Sequence, residues 1–391
     1  MKKQIYLDNA ATTKMRPEAV AEYLRVSESA WGNPSSLHSL GNDAEHVLSS
    51  AKQTILHTLG TKDAEIIFTA SGTEANNLAI LGHALSKERY KSGAKIITTD
   101  SEHASVSSPF DELKKQGFKT YAVSTKGGSV DLDELSRELT KDVILVSVMM
   151  VNNETGAVYN IPAVKRLMNT KCPDALLHVD ATQGYMKIPF TKSGIGADLI
   201  TVSSHKIGGP KGVGALIIDK DVLKKRGLAP VVYGGGQGIG LRSGTENVPG
   251  IAAFAEAAKM AHAELASSIA KMSALYERLV ERLANDERLA EISPTLPKNH
   301  APHILNITLP SIKSETMLHY LSSEGIYVSS GSACSSNGAH LSSALTSYGR
   351  SEAEADCSVR ISFSPDNTAE DVDALVEALA AGLERLVRIK R

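Results

Sequence analysis

Ala197-Asp198-Leu199-Ile200-Thr201-Val202-Ser203-Ser204-His205-Lys206 is an apolar run that ends in two hydroxyls, an imidazole and an amine. It reads as a buried strand whose polar tail is released at the edge of a sheet. Open α/β sheets take ligands just beyond the carboxyl ends of their strands, so the tail falls where a site is built. Ile207-Gly208-Gly209-Pro210-Lys211-Gly212-Val213-Gly214 then turns the chain, and Ala215 to Ile218 runs apolar again. Lys206 is thereby expected at the mouth of a sheet. A partly desolvated amine there is a nucleophile toward an aldehyde, although a lone lysine after a strand is also an ordinary surface residue.

Outward from this stretch, strands and helices alternate. Glu65 onward reads as a short strand, the turn Ala70-Ser71-Gly72-Thr73, and a helix to about Leu85. Lys95 to Thr99, Thr120 to Val123, Val143 to Val151 and Leu176 to Val179 read as strands, with helices over Val106 to Gln116 and Leu132 to Leu139. This is the rhythm of a doubly wound, mainly parallel sheet. The strands end in Asp100-Ser101-Glu102-His103, Asn152-Asn153-Glu154 and Asp180-Ala181-Thr182-Gln183, which put an imidazole, an amide and a carboxylate at the same edge as Lys206. The helix start at Gly72-Thr73 suits a phosphate, with Thr73 equally readable as an ordinary N-cap.

Further on, Tyr233 to Gly240 is glycine-rich without the GxGxxG spacing of a dinucleotide loop, and reads as a loop meeting a ligand or a partner subunit. Ile251 to Leu289 reads as long helix leading to a smaller α/β unit with strands at Leu305 to Leu309, Ile326 to Val328 and Val359 to Phe363, closed by a helix over about Glu370 to Ile389. The expected organisation is a segment 1–14 associated with the small domain, a large domain 15–255 and a small domain 256–391.

The 391 residues carry a formal charge of −2, which argues against a nucleic-acid footprint or attraction to acidic membranes. No apolar run is long enough to span a bilayer, and the start is too short for a signal-peptide core, so the cytoplasm is the expected compartment. Three cysteines without CxxC spacing exclude a disulfide framework and a four-thiolate zinc site, and His300 and His303 read as loop residues rather than metal ligands. Cys172 and Cys357 read as buried. Cys334 stands in Ser329-Ser330-Gly331-Ser332-Ala333-Cys334-Ser335-Ser336, a composition with nothing to bury a thiol, and is the candidate nucleophile, expected exposed and mobile.

Taken together, Tyr6 to Thr13, Gly32 to Ser36, Ser71 to Asn77, Glu102-His103, Val151 to Gly156, Asp180 to Gln183, Ser203 to Lys206, Gly234 to Gln237, Arg242 to Asn247, Ser330 to Cys334 and Arg360 to Phe363 form a signature. The chain resembles the pyridoxal-phosphate (PLP) cysteine desulfurases of the nitrogen-fixation and iron–sulfur-cluster type, group I, within the class V aminotransferases. The resemblance implies fold type I: an α/β PLP-dependent transferase with a large, mainly parallel seven-stranded-type sheet and a smaller α/β C-terminal domain. It implies PLP as a Schiff base on Lys206, which later moves the substrate's α-proton. Asp180 would pair with the pyridinium nitrogen, His103 stack on the ring and assist proton transfer, and Gln183 and Asn153 address the ring hydroxyl. Gly72, Thr73, Ser203, Ser204 and His205 would surround the phosphate, with Thr245 arriving from the other subunit of a homodimer. Arg360 and Asn33 would bind the substrate.

The implied reaction converts L-cysteine to L-alanine and leaves a persulfide on Cys334, for a sulfur acceptor such as an iron–sulfur scaffold or a tRNA-thiolation enzyme. No resident metal is implied, beyond a cluster transiently shared by Cys334 with a scaffold. Selenocysteine lyase or another PLP-dependent β-lyase is the nearest rival; a non-enzymatic sulfur-delivery subunit is the rival from another class, set against intact Lys206, Asp180, His103 and Cys334. The sequence departs from the family at Gly238, where Glu is common, at Met186-Lys187, where Gly-Lys is common, and at Gly338-Ala339-His340-Leu341, which replaces Leu-Glu-Pro.

Overall fold

A computed structural model describes residues 3–330 and 342–386. The chain forms strands β1 (Ile5–Tyr6), β2 (Ala64–Thr69), β3 (Lys95–Thr99), β4 (Lys119–Val123), β5 (Val143–Met149), β6 (Leu176–Asp180), β7 (Leu199–Ser203) and β8 (Gly214–Asp219). Five more follow: β9 (Ser293–Thr295), β10 (Ile304–Thr308), β11 (Ile326–Tyr327), β12 (Ser329–Ser330) and β13 (Ser358–Ser362). A seven-stranded sheet has the order β2-β8-β7-β6-β5-β3-β4. Only β8 runs against its neighbours β2 and β7. Helices cover the sheet, so β7 is buried along its whole length and shows no polar alternation.

A second sheet, β12-β13-β10-β9, is antiparallel and carries its own core, which includes Phe363, Leu305 and Leu379. Ile5 and Leu7 belong to that core, while Ala10 belongs to the core of the large sheet. β1 pairs with β11, and Asp8 bridges to Ser362. Residues 5–10 therefore run from the small core to the large one, and residues 8–11 cross between them.

The continuous helix expected from Ile251 to Leu289 is two helices, Val248–Ala263 and Leu265–Asn285. Glu264 leaves helical geometry at φ −97°, ψ 4°, and its carboxylate receives Arg16 Nη1 at 2.8 Å. Apolar periodicity continues through such a bend and does not reveal it. Among the described residues no helix is long and apolar enough to cross a membrane, and no group of three His, Cys, Asp or Glu is placed to hold a metal ion.

Candidate active site

The carboxyl ends of β2, β3, β5, β6 and β7 open onto one cavity of about 270 Å³. Gly72, Thr73, His103, Asn153, Asp180, Gln183, Ser203, His205, Lys206 and Arg360 all line it, so most of the residues singled out in the sequence meet there. Lys206 follows β7 in a short turn of helix, Ser204–Lys206, and its Nζ donates to Ala10 O at 2.6 Å and Ala11 O at 2.8 Å. The N-terminal crossing thus holds the amine at the cavity.

Asp180 ends β6, where Oδ1 accepts from Thr182 N at 2.9 Å and Oδ2 from Asn76 Nδ2 at 2.8 Å. Asn76 also donates to Ser105 Oγ at 2.8 Å, and Ser105 Oγ stands 2.8 Å from His103 Nδ1. Because Ser105 N also donates to His103 Nδ1, the neutral ring carries its proton on Nε2. Burial holds His103 below the usual imidazole range; Asp180 opposes this shift and Lys206 adds to it. The neutral ring is thereby favoured over the charged one.

At the other end of the cavity, Ser71 caps the helix Gly72–Ala84, its Oγ accepting from Glu74 N at 3.2 Å. The capping role considered for Thr73 falls to Ser71, and Thr73 lies in the first helical turn. The N–H groups of that turn have no acceptor within the helix. His205, pulled down to about 4 by burial and then by Lys206 and Lys211, is uncharged, with Nδ1 3.1 Å from Thr12 Oγ1. On β13, Arg360 is only 5% exposed; Nη2 pairs with Asp8 Oδ1 at 2.9 Å and Nη1 donates to Asn153 O at 2.8 Å. Its Nε is buried and has no partner among the described residues. Asn152 shapes the turn that presents Asn153, its Oδ1 accepting from Glu154 N and Thr155 N at 3.0 and 2.9 Å.

Three residues named in the sequence do not line this cavity. Ser204 is fully buried, against Gly209, and its Oγ has no partner among the described residues. Asn33 is exposed on the loop before the helix Ser39–Thr58, its Oδ1 accepting from Ser35 N at 3.0 Å. Thr245 lines a second cavity beside Arg242, whose Nε meets Glu74 Oε1 at 2.7 Å. Cys334 lies outside the described residues. Conversely, Asp8, the Ala10 and Ala11 carbonyls, Asn76 and Ser105 shape the site without having been assigned to it. Asp8, Asn76 and the two alanines stand inside quoted motifs, which was the available signal.

The class V aminotransferase model matches residues 5–375. The chain belongs to the class V aminotransferase family. Among this family's curated members, the NifS/IcsS protein homolog of Lactobacillus delbrueckii subsp. bulgaricus is 40% identical over 96% of each chain. Cysteine desulfurase IscS 1 of Archaeoglobus fulgidus is 36% identical over 97% of each. A solved NifS-like protein superposes with a TM-score of 0.90 at 34% identity, covering 98% of this chain and all of that one. SspA in complex with cysteine superposes at 0.79, with 28% identity over 94% of this chain and 100% of its own.

Class V aminotransferases depend on PLP, and the cavity fits that group by its own chemistry. Ser203 Oγ and Asn76 Oδ1 are buried there without partners among the described residues. A Cβ on Gly72 would stand 3.2 Å from Thr182 Oγ1 and fill the cradle at the helix start. A carboxylate, an amine and an anion-binding helix end in one enclosure suit a cationic ring nitrogen, an aldehyde and a phosphate.

Proposed function

We propose that the protein is a PLP-dependent cysteine desulfurase that moves the sulfur of L-cysteine to Cys334 as a persulfide and releases L-alanine. The observation that carries the reading is the meeting of Lys206, Asp180, His103 and Arg360 around one cavity, in a chain whose relatives include named cysteine desulfurases. When bound, PLP supplies an electron sink that makes an amino acid's α-proton removable.

The chain's own residues do the rest. Lys206 Nζ is the amine that would hold the cofactor and would move the substrate's α-proton. Asp180, fixed by Thr182 N and Asn76, places its negative charge at the ring nitrogen. His103, which lines the same cavity, would stack on the ring and assist proton transfer. Gln183 and Asn153 address the ring hydroxyl, and Gly72, Thr73, Ser203 and His205 the phosphate. Arg360, whose Nε has no partner among the described residues, would take the substrate carboxylate, to which its planar fork is suited. The thiolate of Cys334 attacks the substrate sulfur; the carbon–sulfur bond breaks, its electron pair stays on carbon, and protonation there gives alanine. The persulfide then passes to the thiol of an acceptor protein, of the iron–sulfur scaffold or tRNA-thiolation kind.

We further infer a homodimer, with Thr245 serving the partner's phosphate site. Thr245 stands away from its own chain's cavity, and Trp31, Leu37, Tyr233 and Ile239 leave 67%, 97%, 80% and 56% of their surface exposed. The cytoplasm, where a reducing poise keeps thiols exchangeable, is the compartment this chemistry suits.

The test is product analysis of the cofactor-loaded protein given L-cysteine and a reductant. Alanine and sulfide in equal amounts are expected, with neither from Lys206→Ala. Pyruvate in place of alanine would move the assignment to a β-eliminating lyase.

A further inference from the structure

His303 was read from sequence as a loop residue, and the structure puts it to other use. It stands in the turn that leads into β10, where its carbonyl accepts from Phe363 N at 2.9 Å. Its ring is fully buried. Nε2 reaches across from the small core to Gln183 Oε1, 3.4 Å away, in the turn that follows β6 of the large sheet. Gln183 is 5% exposed and lines the cavity; His303 stands behind it.

A carboxamide can sit in either of two flipped orientations, and its neighbours decide which. Ala10 O can only accept, so Gln183 Nε2 faces it at 2.8 Å. That carbonyl is shared with Lys206 Nζ, so this restraint changes whenever the amine moves. The second restraint is independent of Lys206. Nδ1 of His303 has no partner among the described residues, so the single proton of a neutral ring has only one useful acceptor, Gln183 Oε1. Burial keeps the ring uncharged, and the cations Lys187, Arg360 and Lys206 act in the same direction.

We infer that His303 is a positioning residue for the cofactor's ring oxygen: by donating to Gln183 Oε1 it turns the amide N–H, rather than the amide oxygen, toward the cavity. This rests on the reading that the cavity holds PLP with Gln183 at the ring hydroxyl. An oxygen presented there would repel an ionised ring oxygen; an N–H spreads its charge. The histidine thus ties a donor of the large unit to a turn of the small one.

The experiment is a pH titration of the visible absorbance band of the cofactor-loaded protein, without substrate, in wild type, His303→Leu and His303→Gln. His303→Leu fills the space without a donor, and His303→Gln restores an N–H at similar reach. Loss of one oriented hydrogen bond should move the midpoint upward by about 0.5 to 1 pH unit in His303→Leu. His303→Gln should recover most of the shift, and on a Gln183→Ala background His303→Leu should add nothing. Melting of the cofactor-free proteins is recorded alongside; should His303→Leu not fold, His303→Ala takes its place. An unmoved midpoint in a folded, loaded variant overturns the inference, as does a shift that persists without Gln183. A wild-type protein that acquires no band at all overturns the PLP reading instead, so the two failures are told apart.

Discussion

Asn76 Nδ2 donates to Asp180 Oδ2 across 2.8 Å, joining the helix Gly72–Ala84 to the carboxylate that ends β6. Its amide also donates to Ser105 Oγ, which in turn supports His103. One buried side chain therefore orients both the carboxylate and the imidazole of the proposed cofactor site. Asn76→Ala is expected to weaken cofactor binding about 10- to 150-fold, the equivalent of about 1.5–3 kcal/mol for a lost hydrogen bond to a charged group. Equilibrium titration of the cofactor-free protein measures this directly. An affinity within twofold of wild type would show that Asp180 holds its place unaided.

Lys206 is expected to be the residue linked to the cofactor. Borohydride reduction followed by peptide mapping should leave the cofactor's mass on the Lys206 peptide. Lys206→Ala should lose the link and about 10³-fold or more of the activity. Modification at Lys187, the buried lysine nearby, would contradict the assignment.

Glu102 carries a pH signature. Its Oε1 accepts from Thr99 Oγ1 at 2.7 Å and Met149 N at 2.8 Å, while Oε2 is buried and has no partner among the described residues. Burial pushes this carboxyl up to about 8 from 4.5, against the two hydrogen bonds. The folded protein therefore binds the proton more tightly than the unfolded chain, and stability falls as pH rises from 4.5 to about 8. Glu102→Gln removes this dependence: its melting temperature should gain on wild type steadily across that window and run parallel above it. A constant difference would mean that the carboxyl is already ionised in the fold.

Cys172 should be inert. It is buried, and desolvation pushes its thiol up to about 11. Cys172→Ala is expected to leave alanine production within about twofold, since only a thiolate attacks sulfur at an appreciable rate.

The sequence made the large sheet legible because its strands are covered on both faces and appear as unbroken apolar runs. Lys95 to Thr99 is a strand over the same residues in the structure, and the polar groups that follow β3, β5, β6 and β7 do share one cavity. The supports of those groups were harder to see. Lys206 meets Ala10 and Ala11 through backbone carbonyls about 195 residues away, and a carbonyl has no sequence signature. His303 touches Gln183 only because two separate cores meet at that turn. Short polar strands such as Ser293–Thr295 and Ser329–Ser330 lack the apolar pattern that marks the others, and the bend at Glu264 interrupts neither periodicity nor propensity.

The central claim is that sulfur leaves L-cysteine by way of Cys334. Purified, cofactor-loaded protein is given L-cysteine without reductant and examined by intact and peptide mass spectrometry, with Cys334→Ser alongside. One additional sulfur on the Cys334 peptide, with alanine released by wild type and not by the variant, is the predicted result. An unmodified Cys334 in a protein that still consumes cysteine, or equal alanine from Cys334→Ser, would contradict it.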